Sequence, residues 1–323
     1  MNHLLQSAVS SFLPSLLGTK NTQRLSILIY HRIMSEFDFM RPAEPTVSQF
    51  KWQMEILSKY FTPLSLSEAL MLMKYSELPE RAVCVTFDDG YADNEELALP
   101  VLQQFGIPAT VFVATDYLNG GRMWNDSIIE AIRLAKGPII DLSGVGLGLY
   151  DITSTSGRVN VAASIIKEVK HWTPDKRAEV VVIIEGLDLD GELPNHLMMT
   201  SAQVRSCSDG GFDVGAHTLS HPILATQNLA NAKREIMGSK EVLESLLGKP
   251  VTHFAYPNGR PDIDYKVEHR DLVEIAGYDC AVSTQWGVAS RSSDRWQLPR
   301  FTPWDKTPLR FLIRLLMNIR NPF

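Results

Sequence analysis

The feature that most restricts this chain is a repeated pairing of short apolar runs with helix-length amphipathic segments. Leu25–Tyr30, Ala82–Phe87, Ala109–Ala114, Phe212–Gly215, Val251–Tyr256 and Cys280–Ser283 read as buried strands. Between them, Val47–Phe61 carries Phe50, Met54, Leu57 and Phe61 at helical spacing. Ser67 is placed to cap a helix containing Leu70 and Met73, Glu95–Phe105 stops at Gly106, and Leu229–Leu247 stops at Gly248 and Pro250. Such alternation predicts an α/β fold, a parallel sheet with helices outside, open or closed into a barrel. In both forms ligands bind beyond the carboxyl ends of the strands. Polar residues that directly follow the strands are therefore the ones to inspect for chemistry.

Composition narrows the class. Hydrophobic residues at 45% and charged residues at 21% exclude a disordered or collagen-like chain. Acidic residues outnumber basic ones by 37 to 31, a net charge of −6, which argues against a general nucleic-acid binder. Cys84, Cys207 and Cys280 are too few and too scattered for a disulfide framework or a CxxC zinc site, so a reducing compartment is expected. Residues 1–24 lack a basic n-region, and Ser and Pro interrupt their apolar stretch. They are expected to be a short lead-in to a cytoplasmic protein. The strand–helix rhythm breaks at about 121–195, where Gly144–Gly148 is glycine-rich and Thr173-Pro174 opens a helical pattern. This reads as an inserted subdomain beside the mouth of a domain spanning 25–306. The tail 307–323 is apolar with Arg310, Arg314 and Arg320 interspersed. It suits a helix packed on the domain or on a partner subunit, or one lying peripherally on the anionic inner face of a membrane.

Five segments carry candidate chemistry. Thr86-Phe87-Asp88-Asp89-Gly90-Tyr91 places two carboxylates side by side after a strand, where they resist ionising together unless a cation lies near. Alone, the pair also fits a turn with a helix cap. His217-Thr218-Leu219-Ser220-His221 supplies two imidazoles that a helical turn would bring to one face. Two His and one carboxylate form a common catalytic zinc set. Phe254-Ala255-Tyr256-Pro257-Asn258-Gly259 runs a strand into a turn that is either only a turn or a source of a free N–H for an oxyanion. Tyr30-His31-Arg32 and Leu298-Pro299-Arg300-Phe301 are weaker signals.

Taken together, these segments resemble the polysaccharide deacetylase family, also known as carbohydrate esterase family four or the chitooligosaccharide deacetylase homology domain. The two most specific motifs, TFDDG and HTLSH, stand in the family's order, and the likeness runs from about Leu25 to Arg300 outside the insertion. The resemblance implies a distorted (β/α)7 barrel. It also implies Asp88 as general base, Asp89, His217 and His221 as metal ligands, and the Asn258 N–H beside Tyr256 as an oxyanion contact. Two departures stand out. Ala255 occupies the place of the usual third-motif arginine, and Arg300 is expected to replace it by pairing with Asp88. The usual Leu-x-His acid motif is absent, since no His follows His269. In the subgroup similar to poly-N-acetylglucosamine deacetylases the barrel is circularly permuted and the acid His follows the first strand. His31 fits that role.

The implied reaction is metal-assisted removal of an N-acetyl or O-acetyl group from a sugar of a glycan or glycan precursor. The expected cofactor is a divalent cation, zinc by preference, with cobalt, nickel or iron also compatible. Trp124, Trp286, Trp296 and Trp304 are candidate stacking platforms for sugar rings, although large aromatics usually serve packing. Two rival readings are a hydrolase of small non-sugar amides with the same metal set and a catalytically dead glycan-binding protein of an envelope-polymer assembly.

Overall fold

In the computed structural model, which describes residues 23–320, seven parallel strands surround a common lumen. The expected lead-in lies almost wholly outside the described residues, as do residues 321–323. The strands are β1 (Arg24–Tyr30), β2 (Ala82–Phe87), β3 (Ala109–Val113), β4 (Phe212–Ala216), β5 (His253–Ala255), β6 (Cys280–Trp286) and β7 (Leu298–Arg300). Each pairs with its neighbour in that order. β7 returns to β1 through Phe301, whose N–H donates to Ile27 O at 2.7 Å and whose carbonyl accepts from Ile29 N–H at 3.1 Å. The sheet is thus nearly closed into the distorted (β/α) barrel that the alternation and the resemblance led us to expect. The closure comes from a single bridge beside an irregularity in β7.

Strand alternation sorts the side chains into two layers. Outward residues such as Leu28, Val83, Val85, Val111, Val214 and Phe254 join the main core beneath the helices. Inward residues such as Leu25, Ile27, Cys84, Phe112, Cys280, Val282 and Leu298 form a second apolar cluster. Leu66, Ala69 and Met73 of one helix join that inner cluster, so the helix plugs the floor of the barrel. This helix, Leu66–Tyr75, is capped by Ser65, whose hydroxyl accepts from the Glu68 N–H, and not by Ser67. Ser67 lies inside the first turn and contacts His253 and Asp213 instead. The other helices follow the sequence closely. Val47–Tyr60 begins with a Thr46–Gln49 capping box, and Leu229–Leu247 ends at a left-handed Gly248.

The region around 121–195 contains α-helices Trp124–Leu134, Thr155–Val169 and Pro174–Glu185 and a two-stranded hairpin, Ile139–Asp141 with Leu149–Asp151. Ile128, Ile132, Ile165, Val180 and Ile184 pack into a core of their own with Met40 from the loop after β1. The final helix, Pro308–Arg320, is amphipathic as expected. Its Phe311, Leu312, Leu315, Leu316 and Ile319 are buried in the main core. That face is already covered by the barrel, so membrane contact through it would require undocking. Among the described residues no helix is long and apolar enough to cross a membrane.

Candidate metal centre and active site

The inward register of the strands carries straight into the site. On β2, inward Cys84 and Thr86 lead to Asp88. On β4, inward Gly215 leads to His217. On β7, inward Leu298 leads to Arg300. Gly215 is required where it stands, because a Cβ there would lie 2.5 Å from the Phe112 ring and 2.9 Å from the His253 carbonyl oxygen. All three strand-end side chains are nearly inaccessible, with Asp88 2%, His217 1% and Arg300 1% exposed.

Asp89, His217 and His221 converge. Their ligand atoms lie within 4.8 Å of one another, and each imidazole Nε2 is 3.3 Å from Asp89 Oδ1. The two rings are not brought together by a helical turn, as the spacing suggested. Thr218 and His221 both adopt left-handed backbone, φ 67° and 53°, and the ring centroids end 4.8 Å apart. The His217 Nδ1–H donates to the Ala255 carbonyl at 2.8 Å, which leaves the Nε2 lone pair facing the carboxylate. Lone pairs directed at one buried point repel unless a cation or proton lies between them. Four-coordinate zinc with bonds of about 2.0–2.1 Å holds its ligand atoms roughly 3.3–3.4 Å apart. The observed spacing therefore fits a divalent cation held by these three residues.

Burial alone would raise the Asp89 carboxyl, but the neighbouring imidazoles, His221 first, would when protonated hold it well below the usual range, the same electrostatic demand that a cation among the three groups would meet. Burial keeps His221 below its ordinary value. Burial also acts to lower His217, but its hydrogen bond to Asp89 and the nearby charge of Asp88 carry it above.

Asp88 is held differently. Arg300 donates to both of its oxygens, Nη1 to Oδ1 and Nη2 to Oδ2, each at 2.7 Å. The Arg300 Nε–H is fixed to the Ser283 carbonyl at 2.8 Å. The guanidinium is therefore locked against Asp88, the pairing expected of Arg300. Burial pushes Asp88 up, and the charge and hydrogen bonds of Arg300 reverse this and lower its pKa. His31 is half-buried, and the residue before it is tied to the pair, since the Asp88 N–H donates to the Tyr30 carbonyl at 2.9 Å.

Asn258 has left-handed backbone with φ 59°, and its carbonyl accepts from Thr284 Oγ1 at 2.7 Å. Its N–H has no partner among the described residues. Asp89, with φ 76°, is also left-handed, so four strained non-glycine residues gather in these motif loops. The expected role of Tyr256 needs correcting. Strand alternation turns it outward with Phe254, where it is fully buried, stacks on Tyr265 at 3.7 Å and donates its hydroxyl to Trp296 O at 2.8 Å. Its N–H is taken by Val282 O. The tryptophans are dispersed. Trp124 is half-buried against the insertion core with Arg177 over its ring, and Trp296 precedes β7 at the floor end of the barrel. Trp286 and Trp304 pair near the ends of β6 and β7, their centroids 5.2 Å apart, and Trp304 is 55% exposed.

Some supporting residues escaped the sequence reading. Glu235, on the buried face of Leu229–Leu247, accepts from the Leu219 and Ser220 N–H groups at 2.9 and 2.8 Å and from the Ser220 hydroxyl at 2.7 Å. It pins the loop between the two imidazoles. A lone Glu among Ala232, Ile236, Ser239 and Leu243 was the available signal. Asp93 and Asn94 were also missed. They stand as two buried polar residues three and four positions past Gly90.

The polysaccharide deacetylase family model matches residues 75–136 and 180–281, just over half of the chain, and the break between the two stretches falls within the region around 121–195. YxkH of Bacillus subtilis (strain 168), which carries a polysaccharide deacetylase name, is 24% identical over 282 residues, covering 87% of this chain and 72% of its own. A poly-beta-1,6-N-acetyl-D-glucosamine N-deacetylase of Staphylococcus aureus is 34% identical over 89 residues, only 28% of this chain and 30% of that protein. The structure of the Streptococcus pyogenes deacetylase PplD in complex with acetate superposes with a TM-score of 0.60 at 20% identity, over 92% of this chain and 98% of that one. That likeness speaks for the fold.

Proposed function

Because the chain belongs to the polysaccharide deacetylase family, a group of hydrolases acting on carbon–nitrogen bonds, we propose that it removes N-acetyl groups from an amino sugar of a glycan or glycan precursor. The observation that carries this reading is the side-by-side arrangement of a three-ligand cation set and a carboxylate locked by an arginine.

In this reading Asp89, His217 and His221 hold a divalent cation, zinc by preference. When bound there, it would polarise the acyl oxygen and acidify water. Asp88 is the base. Arg300 keeps it ionised despite its burial and fixes its plane, and an ionised carboxylate offers about four lone-pair sites, enough to engage water as well. The free Asn258 N–H helps hold the negative charge that develops on the acyl oxygen. His31 gives a proton to the amine, which leaves poorly without one. The acyl–nitrogen bond breaks, and acetate and a free amino sugar result.

The substrate class rests on the named activity of the staphylococcal relative. Trp304, exposed near the end of β7, is the tryptophan best suited to meet a sugar ring. A cytoplasmic setting belongs to the same reading, supported by three buried free thiols at Cys84, Cys207 and Cys280.

The test is hydrolysis of N-acetylated β-1,6-linked glucosamine oligomers, followed by amine release, with small N-acetyl amides as the comparison. Turnover of the oligomers is expected, and Asp88→Asn is expected to reduce it by about 10²–10⁴-fold while retaining bound metal. Turnover of the small amides alone would contradict the sugar reading. Undiminished turnover by Asp88→Asn would contradict the assigned base.

A further inference from the structure

We propose that Asp93 and Asn94 form a clamp that positions His31 for proton donation. This inference rests on the reading of His31 as the acid. The ring of His31 has no hydrogen-bond partner among the described residues, so its placement has to come from its backbone. That backbone is held residue by residue. Asn94 Nδ2 donates to the His31 carbonyl at 2.8 Å. Asp93 Oδ2 accepts from the Arg32 Nε–H at 2.8 Å, and Asp93 Oδ1 accepts from the Ile33 N–H at 2.9 Å. Three consecutive residues of the loop after β1 are thus tied to two consecutive residues at the start of the helical segment that follows β2.

The brace continues on both sides. The Asp88 N–H donates to the Tyr30 carbonyl at 2.9 Å, so the base is tied to the residue preceding the acid. The Arg32 guanidinium lies over the Tyr91 ring at 4.7 Å. Asn94 begins a π-helical turn, Asn94–Ala98, inside the helix that follows the aspartate pair. Such turns are rare and cluster at functional sites.

Stability alone does not account for this device. Asp93 and Arg32 are both buried, and a buried ion pair is often no more stabilising than apolar residues of the same volume. What the pair does supply is one defined backbone path for residues 31–33. The other site groups have separate supports: Asp88 is held by Arg300, His217 by the Ala255 carbonyl and the imidazole loop by Glu235. Asn94 Nδ2 itself touches only the His31 carbonyl and Asp93, so loosening it displaces the acid while the side chains of the base and the ligands keep these supports.

The experiment separates substrates by their need for that proton. An N-acetylated glucosamine oligomer releases an amine that must be protonated. An aryl acetate releases a phenolate that need not be. Asn94→Ala and the near-isosteric Asn94→Asp, which places an acceptor against the His31 carbonyl, are expected to lower amide kcat by about 10–10²-fold while sparing the aryl ester. His31→Ala should show the same split. An equal loss on both substrates, or an unchanged amide rate, would overturn the clamp. If wild-type protein cleaves no amide, the function proposed above fails on its own. The crystal structure of the Asn94→Asp variant then decides: a displaced His31 supports the clamp, and an unmoved one overturns it.

Discussion

The two ends of the barrel lumen are made from the same strands and held together by different physics. At the floor, Leu25, Ile27, Cys84, Cys280 and Leu298 meet Leu66, Ala69 and Met73, and shape and burial suffice. At the mouth, the inward positions further along are Asp88, His217 and Arg300, buried as deeply and polar or charged. A buried charge is tolerable only when paired and hydrogen-bonded, and each of these is. The lesson is that one register serves two purposes. Alternation aims apolar side chains into the floor and, a few residues later, aims reactive ones at a common point.

This contrast makes its strongest prediction at Arg300. Arg300→Met leaves Asp88 buried without its cation, and removal of one partner of a buried pair costs about 3–5 kcal/mol. Both the denaturant midpoint and turnover should fall. A variant with wild-type stability would show that the mouth is not held by charge pairing. Leu25→Ala at the floor should cost about 2–5 kcal/mol through lost burial and a cavity, yet leave kcat per folded molecule unchanged. A drop in kcat comparable to the loss of stability would erase the distinction between the two ends.

The smallest effect is in pH dependence. Asp88 sits below its ordinary pKa in the folded chain. The unfolded chain therefore binds the extra proton as pH falls past about 4. The contribution of Asp88 to stability is present above that pH and is lost as pH falls through the folded value. In Arg300→Met, burial loses its main opponent and Asp88 moves up, so its contribution shrinks or reverses as pH rises. The stability gap between wild type and variant should widen from pH 4 to pH 7. A constant gap would contradict the paired, depressed Asp88.

Much of this was legible because the relevant rules are local. Ala82–Phe87 and Leu229–Leu247 form the elements that their patterns predict, to the residue. The strand ends pointed to Asp88, Asp89, His217 and His221, and resemblance supplied the partnership of Arg300. What escaped depended on three-dimensional neighbours. Closure through Phe301 and Leu28 joins residues far apart in sequence. The resemblance placed Tyr256 at the site, yet the period of two turns it outward with Phe254. Ser65 and Ser67 are both good caps by type, and only the direction of the chain entering the helix chooses between them. Asp93, Asn94 and Glu235 lie on helical segments, where a polar residue reads as a solvated face until packing shows it buried.

The central claim is that Asp89, His217 and His221 share one divalent cation. Calorimetric titration of metal-stripped protein with zinc, alongside Asp89→Asn and His217→Ala, tests it most directly. The account predicts one equivalent bound per wild-type chain and loss of that binding in both variants. Equal binding by all three proteins, or no binding by wild type, would contradict it.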